Sequence, residues 1–195
     1  MKIFDATDEN IKKAAGFIRS GGLVAFPTET VYGLGANGLD AKAAAGIFEA
    51  KKRPSFDPLI LHIAEIETLY LIALNPDSRM LALAEKFWPG PLTIVLKKQD
   101  IVPDIVTSGL DTVAVRMPDH AVARRLIELS GTPIAAPSAN RFGSISPTSA
   151  EHVKRQLHDA EGIILDGGSC HVGIESTIVS ATDEGGVKPG RALMI

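Results

Sequence analysis

Short apolar runs, each four to six residues long, alternate with amphipathic stretches along the whole chain, and that alternation limits the fold to layered α/β architectures. LVAF at 23–26, LILHI at 59–63, TIVL at 93–96, VAVR at 113–116, PIAA at 133–136, EGIILD at 161–166 and STIVS at 176–180 read as strands. Between them, Asp8 opens a helix whose Ile11, Ala14, Ala15 and Ile18 share one face and which stops at Gly21 and Gly22. Helical patterns also run through AKAAAGIFEA after Asp40, through SRMLALAEKF and through HAVARRLIEL, and Ser149 can cap another starting near Ala150. TETVYGLGANG is expected to be loop-rich, because Gly33, Gly35 and Gly38 permit conformations that other residues avoid. Short links near Thr93 and toward the C-terminus leave room for antiparallel neighbours. The expected fold is therefore an open, twisted, mixed sheet with flanking helices, not a closed barrel. No repeat or linker interrupts the pattern, so residues 1–195 are expected to form a single domain.

Composition narrows the function. With 45% hydrophobic and 22% charged residues the chain can bury a core, and a net charge of -3 gives no global field for nucleic acid or membrane. Any anion site must be local. The single Cys170 excludes an intrachain disulfide framework, the start lacks a signal-peptide core, and no apolar run reaches a membrane span of roughly 20 residues. A cytoplasmic protein without membrane contact is the expectation.

The common catalytic signatures are missing: no phosphate-binding P-loop, no zinc-binding H-E-x-x-H and no G-x-S-x-G elbow. The histidines are scattered without metal-ligand spacing, so no transition metal is assigned. GLGANG at 33–38 matches G-x-G-x-x-G, but the strand before it ends at Phe26, too early for a dinucleotide turn. Cys170 beside His171 reads as a small buried residue, since adjacency in sequence does not orient a base.

Two polar clusters remain. In KKRPSFDPL at 51–59, Lys51, Lys52 and Arg53 can simply finish the Asp40 helix, where cations meet unpaired carbonyls. Alternatively, Pro54 extends the chain at Arg53, so that Lys51 and Arg53 point the same way and clamp a phosphate while Lys52 faces solvent. SANRFGSISPTSA at 138–150 follows an apolar strand, a place where open α/β sheets bind ligands, although these residues are also the ordinary makings of a turn.

Together with FPTETVYGLGANG, WPGPLTIVL, TVAVRMPDH and ESTIVS, these segments resemble the YrdC-like family of threonylcarbamoyl-AMP synthases over nearly the whole chain. The resemblance implies a basic concave pocket on the sheet. It also implies an enzyme that joins L-threonine, bicarbonate and ATP, with Mg2+ on the phosphates, into L-threonylcarbamoyladenylate and pyrophosphate. The product would pass to the tRNA threonylcarbamoyl-transferase complex that modifies a tRNA adenosine; direct tRNA contact is not decided by the sequence. The family's catalytic set falls on Lys51, Arg53, Ser138 and Asn140, with Lys51 and Arg53 as the triphosphate clamp. Thr112, Ser146 and Lys188 join Arg53, Ser138 and Asn140 on the ATP side, and Thr30, His62, Arg116 and Ser176 are implied to hold threonine.

Two positions depart from the family. Asp57 stands where asparagine is usual, which places a negative charge near ATP, and Lys188 stands where arginine is usual, with Arg191 close by. The chain resembles the single-domain form, without the further C-terminal domain of some relatives. The rival readings are a non-synthase paralogue that holds RNA in the same basic pocket and, more distantly, a dinucleotide-dependent oxidoreductase.

Overall fold

The computed structural model describes residues 1–54, 56–181 and 187–189. Strand β1 (Lys2–Asp5) and helix α1 (Asp8–Arg19) lead into β2 (Val24–Phe26) and β3 (Gly33–Asn37). Helix α2 (Ala41–Lys51) precedes β4 (Ile60–His62), and α3 (Glu67–Ile72) and α4 (Ser78–Phe87) precede β5 (Leu92–Lys97). After α5 (Asp104–Thr107) come β6 (Thr112–Arg116), α6 (Ala121–Ser130) and β7 (Ile134–Ala135). Helix α7 (Ala150–Gln156), β8 (Ile163–Asp166), β9 (Thr177–Ala181) and β10 (Val187–Pro189) follow.

The described strands form one sheet in the order β1-β8-β2-β3-β7-β4-β6-β5-β9-β10. Its two ends are different strands, so it is open, and it is mixed as expected. β4 and β6 are parallel, as are β5 and β9, whereas β3, β5 and β7 run antiparallel to neighbours. Helices cover both faces. Ile11, Ala14, Ala15 and Ile18 of α1 pack with Ala123, Leu126 and Ile127 of α6 on Val24, Phe26 and Ile134. Ile47 of α2, Met80 of α4 and Val153 of α7 belong to the larger core on the other side. The helices start where polar caps allow: Thr7 Oγ1 accepts from the Asn10 amide at 3.3 Å, and Asp40 Oδ1 accepts from the Lys42 amide at 2.8 Å. Among the described residues no helix is long and apolar enough to cross a membrane.

Two local expectations need correction, and one strand adds to them. GLGAN is strand β3, paired with β2 and β7, and not loop. Glycines here serve close packing: a Cβ on Gly35 would come within 2.6 Å of Ile134 Cγ2, and one on Gly38, in the turn after β3, within 2.5 Å of Leu61 Cδ2. That use of GLGAN as strand leaves no strand-to-helix turn at its first glycines, which a dinucleotide fingerprint requires. KIFD at the N-terminus is the added strand, pairing in parallel with β8. Second, the chain does not extend from Lys51 to Arg53. Lys52 sits in the left-handed region at φ 52°, and the Lys52 and Arg53 amides return to the carbonyls of Glu49 and Phe48. This is the helix-ending motif usually built on glycine, and it sends the neighbouring cations in different directions.

Candidate active site

A cavity of about 80 Å³ lies against the sheet where β4, β6, β7 and the start of β9 meet. Strand β4 presents Ile60 and His62, two residues apart and so on one face. The parallel register places His62 beside Arg116 at the end of β6, and β5 places Thr93 on Arg116's other side. Thr28 and Thr30 enter from the link between β2 and β3, Arg53 and Asp57 from the loop after α2, and Ser138 from the segment after β7. Glu175 and Ser176 close the wall just before β9.

Arg116 is held at every nitrogen. Its Nε donates to the Gly90 carbonyl at 3.2 Å, its Nη1 to Thr30 Oγ1 at 3.0 Å, and its Nη2 lies 2.6 Å from Glu29 Oε1. The last contact is an ion pair without hydrogen-bond alignment, since both Glu29 oxygens and Arg116 Nη2 lack a hydrogen-bond partner. Thr30 Oγ1 also contacts Thr28 Oγ1 at 2.9 Å, and Ser176 Oγ contacts Thr93 Oγ1 at 2.7 Å. Burial, reinforced by the Arg116 cation, pushes the His62 pKa down to about 3, so the ring is neutral, and its Nδ1 has no partner.

The second arginine is folded back on its own loop. Arg53 Nη2 pairs with Asp57 Oδ2 at 2.7 Å and bonds the Pro58 carbonyl, while Nε bonds the Asp57 carbonyl. Nη1 makes no hydrogen bond to the described protein and remains available to a ligand. Burial lowers the pKa of Arg53 and raises that of Asp57, and the pairing opposes both shifts. Asp57, which the sequence left without a role, is thus the counter-ion of Arg53.

Lys51 and Asn140 do not line the cavity; they lie beneath it. Lys51 is 1% exposed, and its Nζ donates to the carbonyls of Ser138 and Asn140 and to Asn140 Oδ1. The Asn140 amide nitrogen donates to the carbonyls of Arg141 and Ser144, so both ends of that side chain are used inside the loop. Burial, with a contribution from Arg53, lowers the Lys51 pKa to about 7; Glu175 and Asp57 oppose the shift. In this geometry Lys51 bolts the 138–140 segment in place, and Asn140 is part of the bolt. Ser138, half-buried and facing the cavity, is what the bolt positions.

The remaining expected residues divide. Ser146 Oγ donates to Glu175 Oε1 at 2.7 Å, which places it at the cavity's edge. Thr112 lies at the other end of β6 from Arg116 and lines a separate depression with Lys97, Ser180 and Ala181. Lys188 is in β10 opposite Ser180, and Arg191 lies outside the described residues. The expected basic pocket is not what the wall shows: Arg53 and Arg116 are matched by Asp57 and Glu175, with Glu29 behind Arg116. Cys170 is half-buried, and burial pushes its thiol up to about 11, which suits a structural residue better than a nucleophile.

Sequence reasoning missed Glu29, Glu175 and Phe142. Glu29 carried a signal, a lone carboxylate between a buried strand and an apolar segment, where it needs a partner.

The Sua5_yciO_yrdC family, described as Telomere recombination, matches residues 16–191. This chain belongs to the Sua5/YciO/YrdC family. It is 57% identical over 173 residues to the threonylcarbamoyl-AMP synthase of Pyrococcus abyssi, covering 89% of this chain and 51% of the relative. The corresponding figures for that of Bacillus subtilis are 49% over 187 residues, 92% and 54%. This Sua5/YciO/YrdC chain thus spans about half the length of these relatives. A putative threonylcarbamoyl-AMP synthase of Methanocaldococcus jannaschii, 32% identical, is matched over 88% of its length and 94% of this chain. Among solved structures, P. abyssi Sua5 complexed with L-threonine superposes with a TM-score of 0.92 at 53% identity, covering 94% of this chain and 55% of that one. E. coli YciO shares the fold, with a TM-score of 0.81 at 24% identity over 94% of this chain and 91% of that one.

Proposed function

We propose that this chain forms L-threonylcarbamoyladenylate and pyrophosphate from L-threonine, bicarbonate and ATP. The observation that carries the reading is a concentration of unmet polar atoms. Among the described residues seven buried side-chain atoms lack an aligned hydrogen bond, and five belong to Glu29, Asp57, His62 and Arg116, at or directly behind the cavity wall, with Glu29 Oε1 and Arg116 Nη2 facing each other as an ion pair. Buried polar groups are normally paired, so a cluster of orphans marks a place built for a small polar ligand. An amino acid fits. The Arg116 fork can take a carboxylate, while Thr30, Ser176 and neutral His62 offer partners for its remaining polar groups. The name of the P. abyssi relative and its structure with L-threonine support threonine as that amino acid.

The chemistry asks little of the protein beyond placement. The threonine amine adds to carbon dioxide derived from bicarbonate, losing a proton to give the carbamate. A carbamate oxygen then forms a bond to the α-phosphorus as the bond to the β-phosphate oxygen breaks, releasing pyrophosphate. Catalysis of such a step rests on alignment and on donors aimed at phosphate oxygens. Arg53 Nη1 and the Ser138 hydroxyl are the donors suited to this, with Lys51 fixing the segment that carries Ser138. Mg2+ enters as part of the ATP substrate; Glu175 supplies carboxylate oxygens on the wall of the kind that such a hard cation prefers.

In the cell the product would serve N6-threonylcarbamoyladenosine formation in tRNA, passed in the cytoplasm to a transferase complex. The RNA-holding alternative loses its main support, because the cavity wall is charge-balanced. The test is pyrophosphate release from ATP with each substrate omitted in turn. Release that needs both threonine and bicarbonate is the expected result, and release indifferent to either overturns the proposal.

A further inference from the structure

We infer that Thr93 is a positioning residue: its buried hydroxyl donates to Ser176 Oγ and leaves Ser176 with a free proton for an oxygen of the amino-acid substrate. The inference rests on the amino-acid reading of the cavity and adds a residue and a hydrogen-bond direction to it.

His62, Arg116, Thr93 and Ile178 are lateral neighbours across β4, β6, β5 and β9, so their side chains share one face of the sheet. His62, Arg116 and Ile178 line the cavity; Thr93 does not, and it is fully buried. Ser176, which does line the cavity, holds its Oγ 2.7 Å from Thr93 Oγ1. The backbone at Ser176 has little freedom, because the Thr177 amide donates to the Pro91 carbonyl at 3.0 Å and β9 pairs with β5 from Thr177 onward. Rotation about the Cα–Cβ bond of Ser176 is the freedom that remains, and the bond to Thr93 selects one setting of it.

Proton counting gives the direction of that bond. Each hydroxyl has one proton to donate. Thr93 Oγ1 makes no other hydrogen bond among the described residues, and it does not reach the cavity. With Ser176 as donor, the Thr93 proton would be buried without an acceptor, the costly case for a hydroxyl. With Thr93 as donor, its proton is used and the spare proton belongs to Ser176, at the cavity wall. A protonated amine has no lone pair to accept it. Ser176 therefore serves an oxygen of the amino acid and not its ammonium group, and Thr93 acts on the substrate only through Ser176.

The test is a double-mutant cycle over wild type, Thr93→Val, Ser176→Ala and the double variant, read by calorimetric titration of the full chain with L-threonine and, separately, with Mg-ATP. Thr93→Val should weaken threonine by about 3- to 10-fold, the range for one neutral hydrogen bond, and leave ATP unchanged. In the Ser176→Ala background the same substitution should have no effect. Thr93→Ser, which keeps the hydroxyl, should bind threonine close to wild type. Equal weakening in both backgrounds, or none in either, would make Thr93 a packing residue only and overturn the inference. Where Thr93→Val does not fold, Thr93→Ala against Thr93→Ser makes the same comparison. If wild type binds no threonine, the functional reading fails on its own, and crystal structures of wild type and the Thr93 variant then decide. One Ser176 rotamer in wild type and several in the variant support the positioning role; the same single rotamer in both refutes it.

Discussion

Replacing Lys51 by methionine keeps the unbranched apolar stem and removes the ammonium with its charge and its N–H donors, which makes it a measure of what the buried ammonium does. Burial lowers the Lys51 pKa from 10.5 to about 7, so the unfolded chain holds this proton more tightly than the folded one. The sign follows. Below about pH 7 both states are protonated and the folded state carries the full penalty; between about 7 and 10.5 the folded state sheds the proton and the penalty fades. Wild-type stability should therefore rise with pH relative to the variant. Taking 1.36 kcal/mol per pKa unit, the gain between about pH 6 and about pH 9 is about 3 kcal/mol. Urea unfolding of both proteins at the two pH values measures it, because every other titrating group cancels in the difference. Parallel stability profiles would refute the reasoning, and would mean that the carbonyls of Ser138 and Asn140 hold the proton against burial. The same variant should lose synthase turnover by about 100-fold or more even where its stability matches wild type, since removing the bolt frees the Ser138 segment from its catalytic placement.

Arg116→Lys keeps the charge but loses the fork, and should raise the KM for threonine by about tenfold with little change for ATP, as steady-state kinetics with each substrate varied would show. Asp57→Asn leaves an acceptor for Arg53 but removes a negative charge from the wall; ATP should bind several-fold tighter and with steeper salt dependence in titrations at increasing ionic strength. His62, with its pKa near 3, should show no imidazole titration between about pH 5 and pH 8 by NMR, and a midpoint near 6.5 would contradict its burial beside Arg116.

The strands and the longer helices were legible because their signals are local: LILHI, TIVL and VAVR are short apolar runs, and α1 buries the four residues that its spacing predicts. GLGAN was not legible, because in sequence a glycine for close packing looks the same as a glycine for a turn. Only the approach of Ile134 and Leu61 to Gly35 and Gly38 distinguishes them, and those contacts cross the fold. The site shows the same limit. The family resemblance pointed to Arg53, Ser138, Thr30, His62, Arg116 and Ser176, and the fold brings all six to one cavity. The course of the chain from Lys51 to Arg53 was misread because the ending of α2 depends on Lys52 adopting a left-handed conformation that lysine seldom favours. The pairing of Asp57 with Arg53 and the unmet oxygens of Glu29 are relations between side chains, visible only once both partners are in place.

The central claim is that one cavity brings an amino-acid carbamate against the α-phosphate of ATP. Incubation with 13C-bicarbonate, L-threonine and Mg-ATP, followed by mass spectrometry of the nucleotide fraction, tests it most directly. The account predicts an adenylate whose mass carries threonine and the labelled carbon together, formed by wild type and not by Arg53→Ala or Arg116→Ala. An adenylate of threonine without the labelled carbon, or ATP consumed with neither incorporated, would contradict it.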